Sequence, residues 1–116
     1  MSIKNSNELL QALESLPLFD HHCHGVVTEP LQRSEFEELI SESSSPATFG
    51  TTRFDSQVGF QVRGACAPIL GLDSFCSPQE YIAKRATMAP DIVNSKFLKA
   101  AGIGTFGLET GHSADI

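Results

Sequence analysis

An α/β fold is what this sequence predicts, and three observations predict it. Two short runs of extended character, Leu18-Phe19-Asp20-His21-His22 and Ile103-Gly104-Thr105-Phe106-Gly107-Leu108, read as strands. The chain between them carries several segments of helical spacing. That connection is far longer than a hairpin needs, which suits parallel pairing. A parallel pair is normally buried on both faces, and no further strands are readable to flank this one. Residues 1–116 are therefore expected to form a single incomplete domain.

The elements follow in order. Asn5 or Ser6 caps a first helix, with Glu8 placed to close a capping box on Asn5. Leu9, Leu10, Leu13 and Leu16 repeat along it, and Pro17 ends it. The first strand comes next and Gly25 closes it. Ser34-Glu35-Phe36-Glu37 reads as a capping box for a short helix carrying Phe36, Leu39 and Ile40. Ser41 to Thr52, with the tract Ser43 to Ser45, reads as an exposed loop. Asp55 is the expected N-cap of a third helix running to about Cys66, with Val58, Val62 and Cys66 on one face. Gly59 and Gly64 weaken that helix and Pro68 stops it. Ser77-Pro78-Gln79-Glu80 opens the next helix, with serine as cap, proline at the first helical position and glutamate completing the box. Pro90-Asp91 starts the last one, and Gly102 ends it. The second strand then delivers Glu109, Thr110, Gly111 and His112 at its far end.

Composition narrows the function. The formal net charge is −6, so there is no basic stripe for nucleic acid and no attraction to an anionic membrane. No apolar run reaches the ~18 residues of a membrane span, and residues 1–8 lack the plan of a signal peptide. A cytoplasmic location is expected. Three cysteines, Cys23, Cys66 and Cys76, form no CxxC and suit a reducing compartment. Cys66 and Cys76 read as small buried thiols.

The chemistry concentrates in Asp20-His21-His22-Cys23-His24, which holds three of the four histidines. Side chains alternate along a strand, so Asp20, His22 and His24 share one face, and His21 and Cys23 the other. Imidazoles two residues apart can converge on one divalent ion. An apolar strand that ends in such residues and then a glycine is where α/β proteins build active sites.

Leu16-Pro17-Leu18-Phe19-Asp20-His21-His22-Cys23-His24-Gly25 resembles the first-strand motif of the amidohydrolase superfamily, an apolar strand followed by D-x-H-x-H. It looks most like the amidohydrolase 2 branch, which also contains decarboxylases. The F-D-S-Q-V-G-F helix and the A-A-G-I-G-T-F-G-L-E-T-G segment are similar to the opening region of that branch. The resemblance implies the N-terminal portion of a (β/α)₈ barrel, a fold of about 250 residues. It implies His22 and His24 as ligands of a divalent metal ion, with zinc the expected one, and Asp20 as a supporting residue. Glu109 would line the pocket, while His21 and Cys23 would pack behind. The activity implied is hydrolysis of a C–N or related bond in a small-molecule substrate by metal-activated water, with decarboxylation as a variant. Further ligands and a late aspartate come from later strands in that family, so this chain alone is expected to be inactive and to self-associate through exposed faces. The residues also admit a small non-catalytic metal-binding or interaction domain, with His22, His24, Glu109 and His112 as ligands, or a truncated relic.

Overall fold

The computed structural model describes residues 6–109. It divides into two compact units, one of Val26–Phe97 and one of Met1–Gly25 with Leu98–Ile116. The architecture is mixed: helices α1 (Ser6–Ser15), α2 (Arg33–Leu39), α3 (Gln57–Gln61), α4 (Ala67–Ile69), α5 (Pro78–Ala86) and α6 (Pro90–Ala100), with strands β1 (Leu18–Cys23) and β2 (Ile103–Leu108). No described helix is long and apolar enough to cross a membrane.

The helical unit is built around aromatic rings. Phe36 of α2 and Phe54 stack with centroids 5.6 Å apart and planes 17° from parallel, and Tyr81 of α5 closes on both at 5.7 and 6.2 Å. Phe54 and Tyr81 are 0% and 1% exposed, and Ala67 and Leu70 complete the cluster. Rings of this size each remove a large apolar area from water, and offset or tilted pairs add to that. The Arg85 guanidinium covers the cluster, 5.0 Å from the Phe36 centroid and 5.9 Å from that of Phe97.

Helix starts in this unit differ from the sequence reading in two places. In α2 the box is Gln32 with Glu35, whose carboxylate accepts the Gln32 N–H at 2.7 Å. The expected Ser34–Glu37 box does not form, because the helix starts two residues earlier with Ser34 already inside it, and Glu37 is engaged elsewhere. Its carboxylate takes Arg33 Nε at 2.7 Å and the Arg53 N–H at 3.0 Å, tying α2 to the following turn. Asp55 likewise does not cap α3. It closes the 3₁₀ turn Arg53–Asp55 by accepting the Thr52 N–H at 2.8 Å, and Ser56 takes the capping role, its Oγ accepting from Gly59 N–H at 3.1 Å. Gly59 is needed for approach: a Cβ there would lie 2.4 Å from the Phe54 backbone.

Pro68 does not stop the helix either. An α-type bond to the Gly64 carbonyl would have to come from residue 68, which has no N–H. The chain widens instead into a π-turn over Val62–Cys66, with the Ala67 N–H reaching Val62 O, and α4 continues through the proline. The loop after α4 then serves the carbonyls of this turn: Ser74 Oγ donates to Gly64 O at 3.2 Å and Phe75 N–H to Arg63 O at 2.9 Å. Phe75 holds φ of +61°, uncommon for a residue with a side chain, and its ring fills the space a Gly64 Cβ would enter. The start of α5 is as expected. Ser77 Oγ accepts the Glu80 N–H at 3.2 Å and the Glu80 carboxylate accepts the Ser77 N–H at 2.8 Å.

The strand unit holds α1 and a two-stranded sheet in which β1 and β2 pair in parallel. Asn5, the expected cap of α1, lies outside the described residues. After α6 the chain turns at Gly102, with φ of +69°, where a side chain would be strained. The Gly102 carbonyl then accepts from Leu18 N–H at 2.8 Å. The register shifts twice. Between Leu18 and Phe19 the partner advances from Ile103 to Thr105, past Gly104, where a Cβ would lie 2.8 Å from that of Pro17. Between Asp20 and Cys23 the extra residue is on β1, while β2 advances from Phe106 to Leu108. The apolar positions of this unit stay in water: Leu9, Leu10, Leu13 and Leu16, with Leu18 and Phe19 of β1, are all more than half exposed.

Candidate metal centre

Parallel pairing brings the C-terminal ends of β1 and β2 to the same rim. Cys23 pairs with Leu108, and the Glu109 N–H donates to Cys23 O at 2.9 Å. His24, which follows Cys23, and Glu109 therefore leave the sheet side by side in sequence register. Asp20, His22, His24 and Glu109 all belong to the strand unit.

His22 and His24 are both exposed, with ring centroids 5.4 Å apart and planes at 88°. The distance suits two ligands of one ion. With nitrogen–metal bonds of about 2.0–2.1 Å and roughly 1.1 Å from nitrogen to ring centre, a near-tetrahedral pair has centroids about 5 Å apart. Neutral imidazole is also the donor that borderline ions such as zinc prefer. An edge-to-face pair of rings is favourable by itself at this separation, so the pair can hold its geometry without an ion.

Asp20 turns back on the backbone. Its Oδ1 accepts the His22 N–H at 3.1 Å, which fixes the chain just ahead of the pair. This bond falls where β1 carries its extra residue. The Cys23 thiol donates to His24 O at 2.9 Å, so it too braces main chain. The exposures along β1 do not follow a period of two: Asp20 and Cys23 are the half-buried residues, three apart, and the register shift between them is the reason. Among the described residues no group of three or more His, Cys, Asp or Glu side chains converges as a metal site. The spacing of His22 and His24 is compatible with two ligands of one ion, and the described residues bring no third ligand to them. His112 lies outside the described residues.

The other two thiols sit in the helical unit, half-buried. Burial pushes both Cys66 and Cys76 up from the ordinary thiol value, against the nearby Arg85 and Arg63 cations respectively, and Glu80 adds to the rise at Cys76. A raised thiol value leaves less thiolate at neutral pH. Arg85, which no motif singles out, lines a groove with Val27, Leu31, Phe36, Met88 and Val93 that encloses about 30 Å³, roughly the space of one water. Only its place one turn after Tyr81 on α5 could have suggested that it covers a ring cluster.

Comparison of the chain with protein-family models, with curated proteins and with solved structures found no match.

Proposed function

We propose that this chain is the N-terminal portion of a metal-dependent hydrolase of the amidohydrolase type, built on a (β/α)₈ barrel and acting in the cytoplasm on a small-molecule substrate. The observation that carries the reading is the His22–His24 pair, 5.4 Å between rings, at the C-terminal end of a parallel strand. A second feature supports it. A parallel pair in which no residue of either strand is fully buried has the faces and edges that further βα units cover in such barrels.

In this reading the neutral imidazoles of His22 and His24 hold a divalent ion, zinc being the one their chemistry suits. When bound, that ion supplies Lewis acidity for a carbonyl-type substrate and lowers the pKa of water. Asp20 keeps the His22 backbone in place through its bond to the N–H. Glu109, held at the neighbouring strand end, adds a carboxylate to the pocket rim. The remaining ligands and the proton acceptor come from later strands. Decarboxylation on the same frame is the variant reaction.

The test is made on the protein as its native source produces it, beside a form carrying His22→Ala and His24→Ala. Intact mass and divalent metal per chain are measured together. The proposal expects a mass at least about twice the 12.5 kDa of these residues, since a barrel needs about 250 residues, and bound metal that falls at least about tenfold in the double variant. Metal retained by the double variant would contradict it.

A further inference from the structure

The loop between α2 and the Arg53–Asp55 turn carries Ser43, Ser44 and Ser45, all exposed, and then Pro46. Their hydroxyls are not equivalent. Ser43 Oγ accepts the Ser45 N–H at 3.2 Å, and Ser41 Oγ accepts the Ser43 N–H at 3.1 Å. Ser45 Oγ has no such task. The proline after it disfavours helical backbone at Ser45, which lies at a bend of the loop. Beneath the loop, Arg53 Nη2 donates to the carbonyls of both Ser43 (3.1 Å) and Ser45, so a cation already sits against the backbone of the serine tract. Arg33 lines the same groove as Arg53, Pro46 and Ala47. Glu38 and Glu42 border the loop as well, and Arg33 is paired to Glu37.

The chain has a second Ser-Pro pair, Ser77-Pro78, and it serves as an internal contrast. Ser77 Oγ is locked at the start of α5, donating to the Glu80 carboxylate at 2.7 Å and accepting the Glu80 N–H. Modifying it would cost the helix its cap.

We propose that Ser45 is a phosphorylation site for a proline-directed protein kinase, and that Arg53, with Arg33 beside it, receives the phosphate. Ser45 Oγ attacks the γ-phosphorus of ATP. The new O–P bond forms as the bond to the β-phosphate oxygen breaks, ADP leaves, and the hydroxyl proton passes to the kinase's catalytic carboxylate. The product adds nearly two negative charges and three acceptor oxygens opposite a guanidinium that now binds only carbonyls. The loop, pinned at present by neutral acceptors, becomes pinned by a charge pair.

The experiment incubates the full chain with a purified proline-directed kinase and Mg-ATP, maps the product by mass spectrometry, and follows the phosphoserine by ³¹P NMR across pH. One phosphoryl group is expected on Ser45, absent in Ser45→Ala, with Ser77 unmodified. The second phosphate pKa, near 6 when free, should lie at least about 0.5 below that of the same phosphoserine in a peptide of residues 41–52. Arg53→Gln should remove most of that difference and Arg53→Lys should keep part of it. Phosphate on Ser77 rather than Ser45, no incorporation into the folded chain, or a pKa equal to the peptide's would overturn the proposal.

Discussion

The helical unit and the strand unit treat their apolar residues in opposite ways. In Val26–Phe97, Phe36, Phe54 and Tyr81 bury one another, and glycine at 59 lets the backbones close. In the strand unit, Leu9 is 62% and Phe19 65% exposed, although the sequence pattern around them is as regular as any in the chain. The lesson is that periodicity announces which face wants a partner, and not whether the described residues provide one. The candidate ligands lie on the unit that lacks cover. Under the proposed function, neighbouring strands would finish that site.

Substitutions can break or sharpen this contrast. The largest effect is expected at Phe54, whose ring is fully enclosed. Phe54→Ala should cost about 3–5 kcal/mol in urea unfolding followed on Tyr81 fluorescence. A loss under 1 kcal/mol would mean that the ring stack does not organise the unit. Next comes the α5 cap. Ser77→Ala should cost about 1 kcal/mol near neutral pH. Its partner makes the effect pH-dependent. The bonds from Ser77 hold Glu80 below the usual 4.5, so this contribution is present above that value and is lost as pH falls through the folded-state value. An acid titration of wild type against Ser77→Ala should show the gap narrowing without closing, since the Glu80 N–H bond to Ser77 Oγ does not depend on the carboxylate's charge. The smallest effect belongs to α1. Leu13→Ala, at a half-exposed position, should change stability by less than about 0.5 kcal/mol in these residues. A loss comparable to that at Phe54 would show that the α1 face is already packed, and the contrast between the units would fail.

Much of this was legible in the sequence. β2 was readable from Ile103 to Leu108, parallel pairing followed from the length of the connection, and the α5 start was written in Ser77-Pro78-Gln79-Glu80. Other features were not readable, for physical reasons. Glu37 looks like a capping partner, but it has a competing bond to the Arg53 N–H that only the fold supplies, whereas the Asp55 bond to Thr52 is a local Thr-x-x-Asp box that the reading of Asp55 as an N-cap passed over. Pro68 carries a strong stop signal, and the π-turn before it and the donors of Ser74 and Phe75 after it offset what the proline removes. At the candidate site, the His22–His24 spacing was legible because it is local. The register shift between Asp20 and Cys23, which disturbs simple alternation around those histidines, depends on the partner strand. Asp20 looked like a third polar group on the ligand face, yet its bond to the His22 N–H is with the backbone.

The most direct test of the contrast between the units is native-state hydrogen exchange on the 116-residue chain. The Tyr81 N–H, bonded to Ser77 O at 3.0 Å, and the Leu72 N–H, bonded to Ala67 O at 3.0 Å, report the helical unit. The Leu18 N–H, bonded to Gly102 O at 2.8 Å, and the Glu109 N–H, bonded to Cys23 O at 2.9 Å, report the sheet that carries His22 and His24. Protection at Tyr81 and Leu72 at least about a hundredfold greater than at Leu18 and Glu109 is the predicted result, a gap of about 2.7 kcal/mol in opening free energy. Equal protection at all four amides would mean that the two-stranded sheet is self-sufficient, and would contradict the proposal that the His22–His24 pair stands on an unfinished barrel.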